Sequence, residues 1–144
     1  MKSNYLFTSG TTEGNINLAS LLLRIFAGGF MLYQHGMPKF GKFFSGNSVE
    51  FVDFLGMGAT ATLALVIFSE VICALFVMLG LLTRWALIPL IITMLYAAFI
   101  AHGDDPFGKK EMSLLYLLIF GILMLVGPGK YSLDRSIQKR RKTV

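Results

Sequence analysis

The sequence predicts an all-α, membrane-embedded four-helix bundle with short loops. Hydrophobic residues make up 55% of its 144 positions, mean hydropathy is +0.67, and charged residues reach only 15%. Soluble domains carry about a quarter charged residues. Four apolar stretches recur, at about 17–35, 59–82, 85–102 and 112–126. Each approaches the roughly 20 residues that cross a hydrocarbon layer about 30 Å thick. The basic residues gather beside these stretches and after Lys130, as membrane orientation requires. A net charge of +5 therefore gives no reason to invoke nucleic acid. The chain divides into a flexible N-terminus (1–16), a transmembrane domain (17–128) and a basic tail (129–144).

The N-terminal segment, MKSNYLFTSGTTEGNI, is polar and rich in Gly, Ser and Thr, a composition typical of poorly ordered termini. The first span follows. Arg24 interrupts it and no small-residue cleavage site comes after it, so it reads as a retained helix and not a signal peptide. Gln34 to Gly58 is the longest connection, with Gly36, Pro38 and Gly41 as helix breakers. Lys39 and Lys42 suit headgroup depth there. Within it, SVEFVDFL sets Val49, Val52 and Leu55 against Glu50 and Asp53. Either a short amphipathic helix in the interface or an ordinary ordered loop fits that pattern.

The second span, ATATLALVIFSEVICALFVMLGLL, has Glu70 near its centre. Thr83 and Arg84 turn the chain into the third span, where Trp85 is an interfacial aromatic. Pro89 falls in its first turns, where a missing N–H costs least. The polar loop GDDPFGKK leads to the fourth span, which stops at GPG. Four spans put both termini on one side. Lys2, Arg84, Lys130, Arg135, Lys139, Arg140, Arg141 and Lys142 fall there, against Lys39, Lys42, Lys109 and Lys110 opposite. The positive-inside rule then makes both termini cytoplasmic.

An ionisable group in mid-span costs several kcal/mol unless it is paired or hydrated, so Glu70 needs a partner. Arg24 is the natural candidate. At 1.5 Å per residue, Arg24 lies about 10 Å and Glu70 about 18 Å from the cytoplasmic face. A guanidinium–carboxylate fork would satisfy both away from water. Such a pair either locks two helices together or handles a proton or ligand; both roles stay open. Arg24, Gly28, Met31 and His35 share one helix face, and Ala27, Gly28 and Gly29 allow close helix approach.

On the outer side, His35, Lys39, His102 and Glu111 form a candidate polar site. Groups of this kind bind a quinone carbonyl, relay a proton or hold a metal; alternatively they cap helix ends among the headgroups. No motif supports haem or a metal site, and no nucleotide loop, HExxH or nucleophilic triad is present. The lone Cys73 excludes a CxxC motif and reads as a small packing residue.

The runs LLLRIFAGGFMLYQHGMPKF and SEVICALFVMLGLLTRWALIPLIITML, the outer His102 and GPGKYSLD together resemble the DoxX family of bacterial four-helix membrane proteins. The resemblance covers about Leu18 to Asp134. It implies an up-and-down bundle in the bacterial cytoplasmic (inner) membrane. It also implies a link to thiosulfate:quinone oxidoreductase, terminal oxidase or other sulfur-redox complexes, and carries over Arg24, His35 with Lys39, Glu70 and the Tyr131–Asp134 segment. Related membrane redox folds carry cysteine pairs; this chain has none, which argues against a thiol relay. The leading reading is a quinone-interacting or redox-associated subunit, accessory to a membrane oxidoreductase if it serves an enzyme at all. The alternative is a non-enzymatic scaffold or assembly protein. A small transporter ranks last, because four short spans leave little room for a pathway. The partners expected are the lipid bilayer and either a partner subunit or further copies of the chain.

Overall fold

The computed structural model describes residues 12–45 and 50–141. Every regular element among them is helical. Four long helices run up and down: α1 (Glu13–Phe44), α2 (Ala59–Leu79), α3 (Thr83–Ala101) and α4 (Phe107–Val126), and a short α5 (Leu133–Arg141) follows. Around the bundle α1 packs on α2 and α4, and α3 packs on the same two helices. Helices α1, α2 and α3 are long and apolar enough to cross a membrane. In α4, Lys109, Lys110 and Glu111 occupy the first turns, and the uninterrupted apolar stretch is 112–126.

The expected break after the first span does not occur. The helix starts at Glu13, capped by the Thr12 side chain, and continues through Gly36, Pro38 and Gly41 to Phe44. A proline inside an α-helix clashes with the carbonyl four residues back and costs about 3 kcal/mol. Just before Pro38 the helix widens into a π-turn over Met31–Gly36, and the Met37 N–H reaches back five residues to the Leu32 carbonyl. The wider turn makes room for the ring. At 32 residues the helix is about 48 Å long, more than the hydrocarbon layer needs. Its last turns, Met37–Phe44, are amphipathic and stack Phe40 on Phe44 at 4.8 Å.

The amphipathic helix considered for the first connection is thus displaced. Residues 46–49 lie outside the described residues; 50–53 have no regular secondary structure and 54–57 bend and turn the chain. Asp53 accepts from the Gly58 N–H at 2.9 Å, and Thr62 accepts from the Phe54 N–H at 2.9 Å. Local side-chain bonds of this sort stabilise turns against helix. At the termini, the predicted flexible segment is helical from Glu13 onward, and residues 1–11 lie outside the described residues. The tail forms α5.

The core runs down the bundle axis through Met31, Val77, Leu87, Leu90, Phe120 and Leu123, all fully buried, and Cys73 packs among them. Phe26, Phe30, Leu65, Phe99, Leu118 and Leu125 face outward and exposed. A soluble protein rarely displays so broad an apolar surface; a lipid-facing one requires it.

Helices α1 and α2 meet at two glycines. A Cβ on Gly28 would lie 2.6 Å from Met78 Cγ and 2.9 Å from the Ala74 carbonyl oxygen. On Gly36 it would lie 2.7 Å from the Glu70 carbonyl oxygen and 2.8 Å from Val71 Cγ2. Small residues of this kind bring membrane helices into backbone contact. Gly36→Ala should therefore destabilise the bundle by about 1–3 kcal/mol through overpacking. Gly41, with nothing within 4 Å of a Cβ, should accept alanine with no loss or a gain of up to about 1 kcal/mol. Thermal unfolding in detergent, followed by helical circular dichroism, checks both.

Candidate functional site

The two buried charges of the bundle do not pair with each other. Because α1 and α2 are antiparallel, Arg24 lies level with Met78, and Glu70 lies level with Gly36. Eight residues of α2 separate those levels, about 12 Å, which is beyond a salt bridge. The expected Arg24–Glu70 pair is therefore replaced by two separate centres.

Glu70 pairs with Lys39. The ammonium Nζ lies 2.7 Å from Oε1 and 2.5 Å from Oε2, with the Glu70 side chain 3% exposed and that of Lys39 26% exposed. Lys39 reaches the carboxylate because α1 continues past Pro38. Unusual helix turns flank the pair: Lys39 follows shortly after the first π-turn, and Glu70 sits inside a second, Phe68–Cys73, which packs against the first. Such turns recur at functional sites. His35, in the first π-turn, is half-buried and meets the Tyr116 ring edge-on at 5.6 Å; Tyr116 stacks on Phe120 at 5.7 Å. His35 precedes Lys39 by four residues on α1, and the turns that carry His35 and Glu70 pack on each other. His35, Lys39, Glu70 and Tyr116 thus form one polar cluster across α1, α2 and α4.

The cluster has unused hydrogen-bonding capacity. Two of the three N–H groups of Lys39 are directed at Glu70. Neither His35 nitrogen nor the Tyr116 hydroxyl bonds to a described residue.

His102 and Glu111, expected beside His35 and Lys39, do not bond to them. His102 Nδ1 lies 2.8 Å from Asp105 Oδ2, and Lys109 donates to Asp105 Oδ1 at 3.2 Å. Lys110 donates to the Gly103 carbonyl. These contacts tie the α3–α4 loop to the start of α4. Glu111 is exposed and without a described partner. His102 thus serves its own loop.

Arg24, fully buried, donates to the carbonyls of Val77 (3.5 Å), Met78 (3.3 Å) and Tyr131 (2.9 Å); its Nε has no described partner. The first two are final-turn carbonyls of α2, which lack intrahelical donors and carry the negative end of the helix dipole. The carboxylate whose charge reaches Arg24 is Asp134, not Glu70. Asp134 itself caps α3: it accepts from the Leu82 N–H (2.7 Å), the Thr83 N–H (3.0 Å) and the Thr83 hydroxyl (2.9 Å). Gly80 permits this junction. Its φ of +69° ends α2 with a Schellman pair, Leu81 N–H to Phe76 carbonyl and Gly80 N–H to Val77 carbonyl. A Cβ there would collide with Arg24 and Ser132. Ser20 also donates to the Gly127 carbonyl at 2.8 Å, and the Lys130 N–H to Asn17 Oδ1 at 2.7 Å. The YSLD segment is a clasp joining the first, second and third helices.

Helices that present lipid-facing side chains around two buried charge centres define a multi-pass integral membrane protein. The chain belongs to the DoxX family, whose model matches residues 19–103. It is also similar to an uncharacterized membrane protein of Mycobacterium tuberculosis, 37% identical over 87 aligned residues. That match covers 49% of this chain and 52% of the relative, about half the length of each. No solved structure matches.

Three outcomes follow from the two-centre arrangement. Breaking a buried ion pair from one side costs about 3–5 kcal/mol, and replacing both partners restores most of it. Lys39→Met with Glu70→Leu should therefore show strong coupling in a double-mutant cycle. Arg24→Met with Glu70→Leu should add independently, within about 0.5 kcal/mol; detergent unfolding titrations give both. At the loop, bonds from His102 and then Lys109 hold the Asp105 carboxyl below its usual range. A carboxyl depressed in the folded state stabilises above its unfolded value of about 3.9 and loses that effect as pH falls through the lower folded value. Hydrogen-exchange protection of residues 102–106 should then persist at pH 5 and fade below about pH 4.

Proposed function

We propose that the His35–Lys39–Glu70–Tyr116 cluster binds the oxygenated headgroup of a quinone, and that the protein is an accessory subunit of a membrane redox or sulfur-oxidising complex. On this reading it lies in a bacterial cytoplasmic membrane with both termini cytoplasmic. The observation that carries it is the unspent polar capacity beside a buried ion pair. A pair that only fastened helices has no need of a spare donor beside it that a ligand can reach. Here Lys39, His35 and Tyr116 each retain one.

The residues fit such a headgroup. The spare N–H of Lys39, a His35 N–H and the Tyr116 hydroxyl are donors suited to quinone carbonyl oxygens. Glu70 and His35 are acceptors for the hydroxyls of the reduced form, so the same cluster can hold or pass a proton. Electrons would come from a partner subunit of the complex.

The scaffold reading is favoured by a different observation, the clasp. Arg24, Asp134 and Ser20 all make internal bonds that tie the helices to the segment after α4, as in a protein whose polar groups serve assembly.

Mass spectrometry of protein purified in mild detergent separates the readings. A near-stoichiometric isoprenoid quinone is expected in the unaltered chain. His35→Phe and Lys39→Met should each lose it while keeping helix content. Absence of quinone in the unaltered chain, or full retention in both variants, would leave the scaffold reading standing.

A further inference from the structure

We propose that the cavity at the terminal end of the bundle is a specific site for an anionic phospholipid, its phosphate held by Arg84, Arg135 and Arg141. This cavity, about 900 Å³, is enclosed by the starts of α1 and α3, the α4–α5 linker and α5. It lies at the opposite end from the loop that joins α3 to α4, apart from the His35–Glu70 cluster.

The inference rests first on charge. Four cations line the cavity: Arg84, Lys130, Arg135 and Arg141. The chain has eight acidic residues, all of them described, so no further part of it can supply a carboxylate side chain. Glu50, Asp53, Asp104, Asp105 and Glu111 belong to the connections at the other end. Glu70 is held by Lys39, and Asp134 is committed to Leu82 and Thr83. Glu13 and Asp134 also line the cavity, and Asp134 keeps its charge because its partners are neutral, so four cations face two carboxylates. None of the three guanidinium groups has a hydrogen-bonded partner among the described residues, and Lys130 makes only a ring contact with Tyr131 at 5.6 Å. Planar guanidinium forks match phosphate oxygens bidentately.

The inference rests second on the apolar wall. Ile16, Trp85 and Ile137 line the same cavity. Trp85 is 73% exposed and is positioned next to Arg84 at the first turn of a membrane helix. An exposed tryptophan there marks the headgroup level of a bilayer. A soluble phosphate compound would use the basic rim and leave this wall idle. A phospholipid uses both, with its phosphate on the arginines and its upper acyl chains against Ile16, Trp85 and Ile137. Basic pockets at the membrane edge recognise lipid headgroups in this manner.

Native mass spectrometry of the full chain in mild detergent tests this, with phosphatidylglycerol, phosphatidylcholine and soluble glycerol phosphate as probes. The unaltered protein should retain phosphatidylglycerol in preference to phosphatidylcholine and should ignore glycerol phosphate. Arg84→Gln/Arg135→Gln should weaken phosphatidylglycerol retention by roughly 30-fold, the effect of two interfacial basic side chains. Lys139→Gln/Arg140→Gln removes equal charge from α5 at positions outside the cavity lining and should change it little. Equal losses in the two pairs would mean diffuse surface charge and would overturn the site. Competition by glycerol phosphate, or equal retention of phosphatidylcholine, would overturn the lipid. The preference in the unaltered chain is decisive even if a variant fails to fold.

Discussion

A charge in hydrocarbon must be met within the reach of its own side chain, because no water arrives to share the cost. This bundle contains two such charges, on different helices and at different depths, and it meets each one locally. Glu70 takes the ammonium of Lys39. Arg24 takes no carboxylate directly; it takes carbonyl oxygens left over where α2 ends and where the chain passes beneath the bundle. The remaining architecture follows from those two needs. Helix α1 has to extend far enough to deliver Lys39, α2 has to stop where Arg24 can reach its last turn, and the segment after α4 has to fold back under both.

The helix contacts serve the same purpose. Gly28 and Gly36 remove the side chains that would hold α1 and α2 apart, so Arg24 and Lys39 meet their partners at hydrogen-bonding distance. The π-turns widen the ladder where His35 and Glu70 emerge. One extra residue in a turn rotates everything beyond it, which redirects Lys39 toward the neighbouring helix. Close packing and local widening therefore act together: one sets the separation of the helices, the other sets the aim of their side chains.

Much of the fold was legible in the sequence. Apolar length, the turn placed at Thr83 and Arg84 and the GPG stop mark the helices, and the second and third have ends within a few residues of those read from composition. What misled was local punctuation. Gly36, Pro38 and Gly41 carry the signal of a helix end, but a π-turn leaves no mark in composition, so the continuation to Phe44 was not visible. Losing that continuation removed Lys39 from the list of partners for Glu70 and left Arg24 as the apparent choice. His35, Lys39 and Glu70 were each identifiable as polar groups in need of a reason. Tyr116 was not, since a tyrosine in an apolar span looks like packing until its neighbours are known. The role of Asp134 was equally hidden. Capping a helix that begins 51 residues earlier is a purely tertiary fact.

The clasp also orders events in time. Tyr131 and Asp134 are synthesised after all four long helices, yet the Arg24 guanidinium and the first turn of α3 depend on them. A nascent chain with every span already made holds the Val77 and Met78 carbonyls that Arg24 uses, but not the Tyr131 carbonyl or the Asp134 cap. The Arg24 site is thus completed by the segment that is made last of its partners. The clasp, as distinct from the direct packing of the four helices, waits for the final linker.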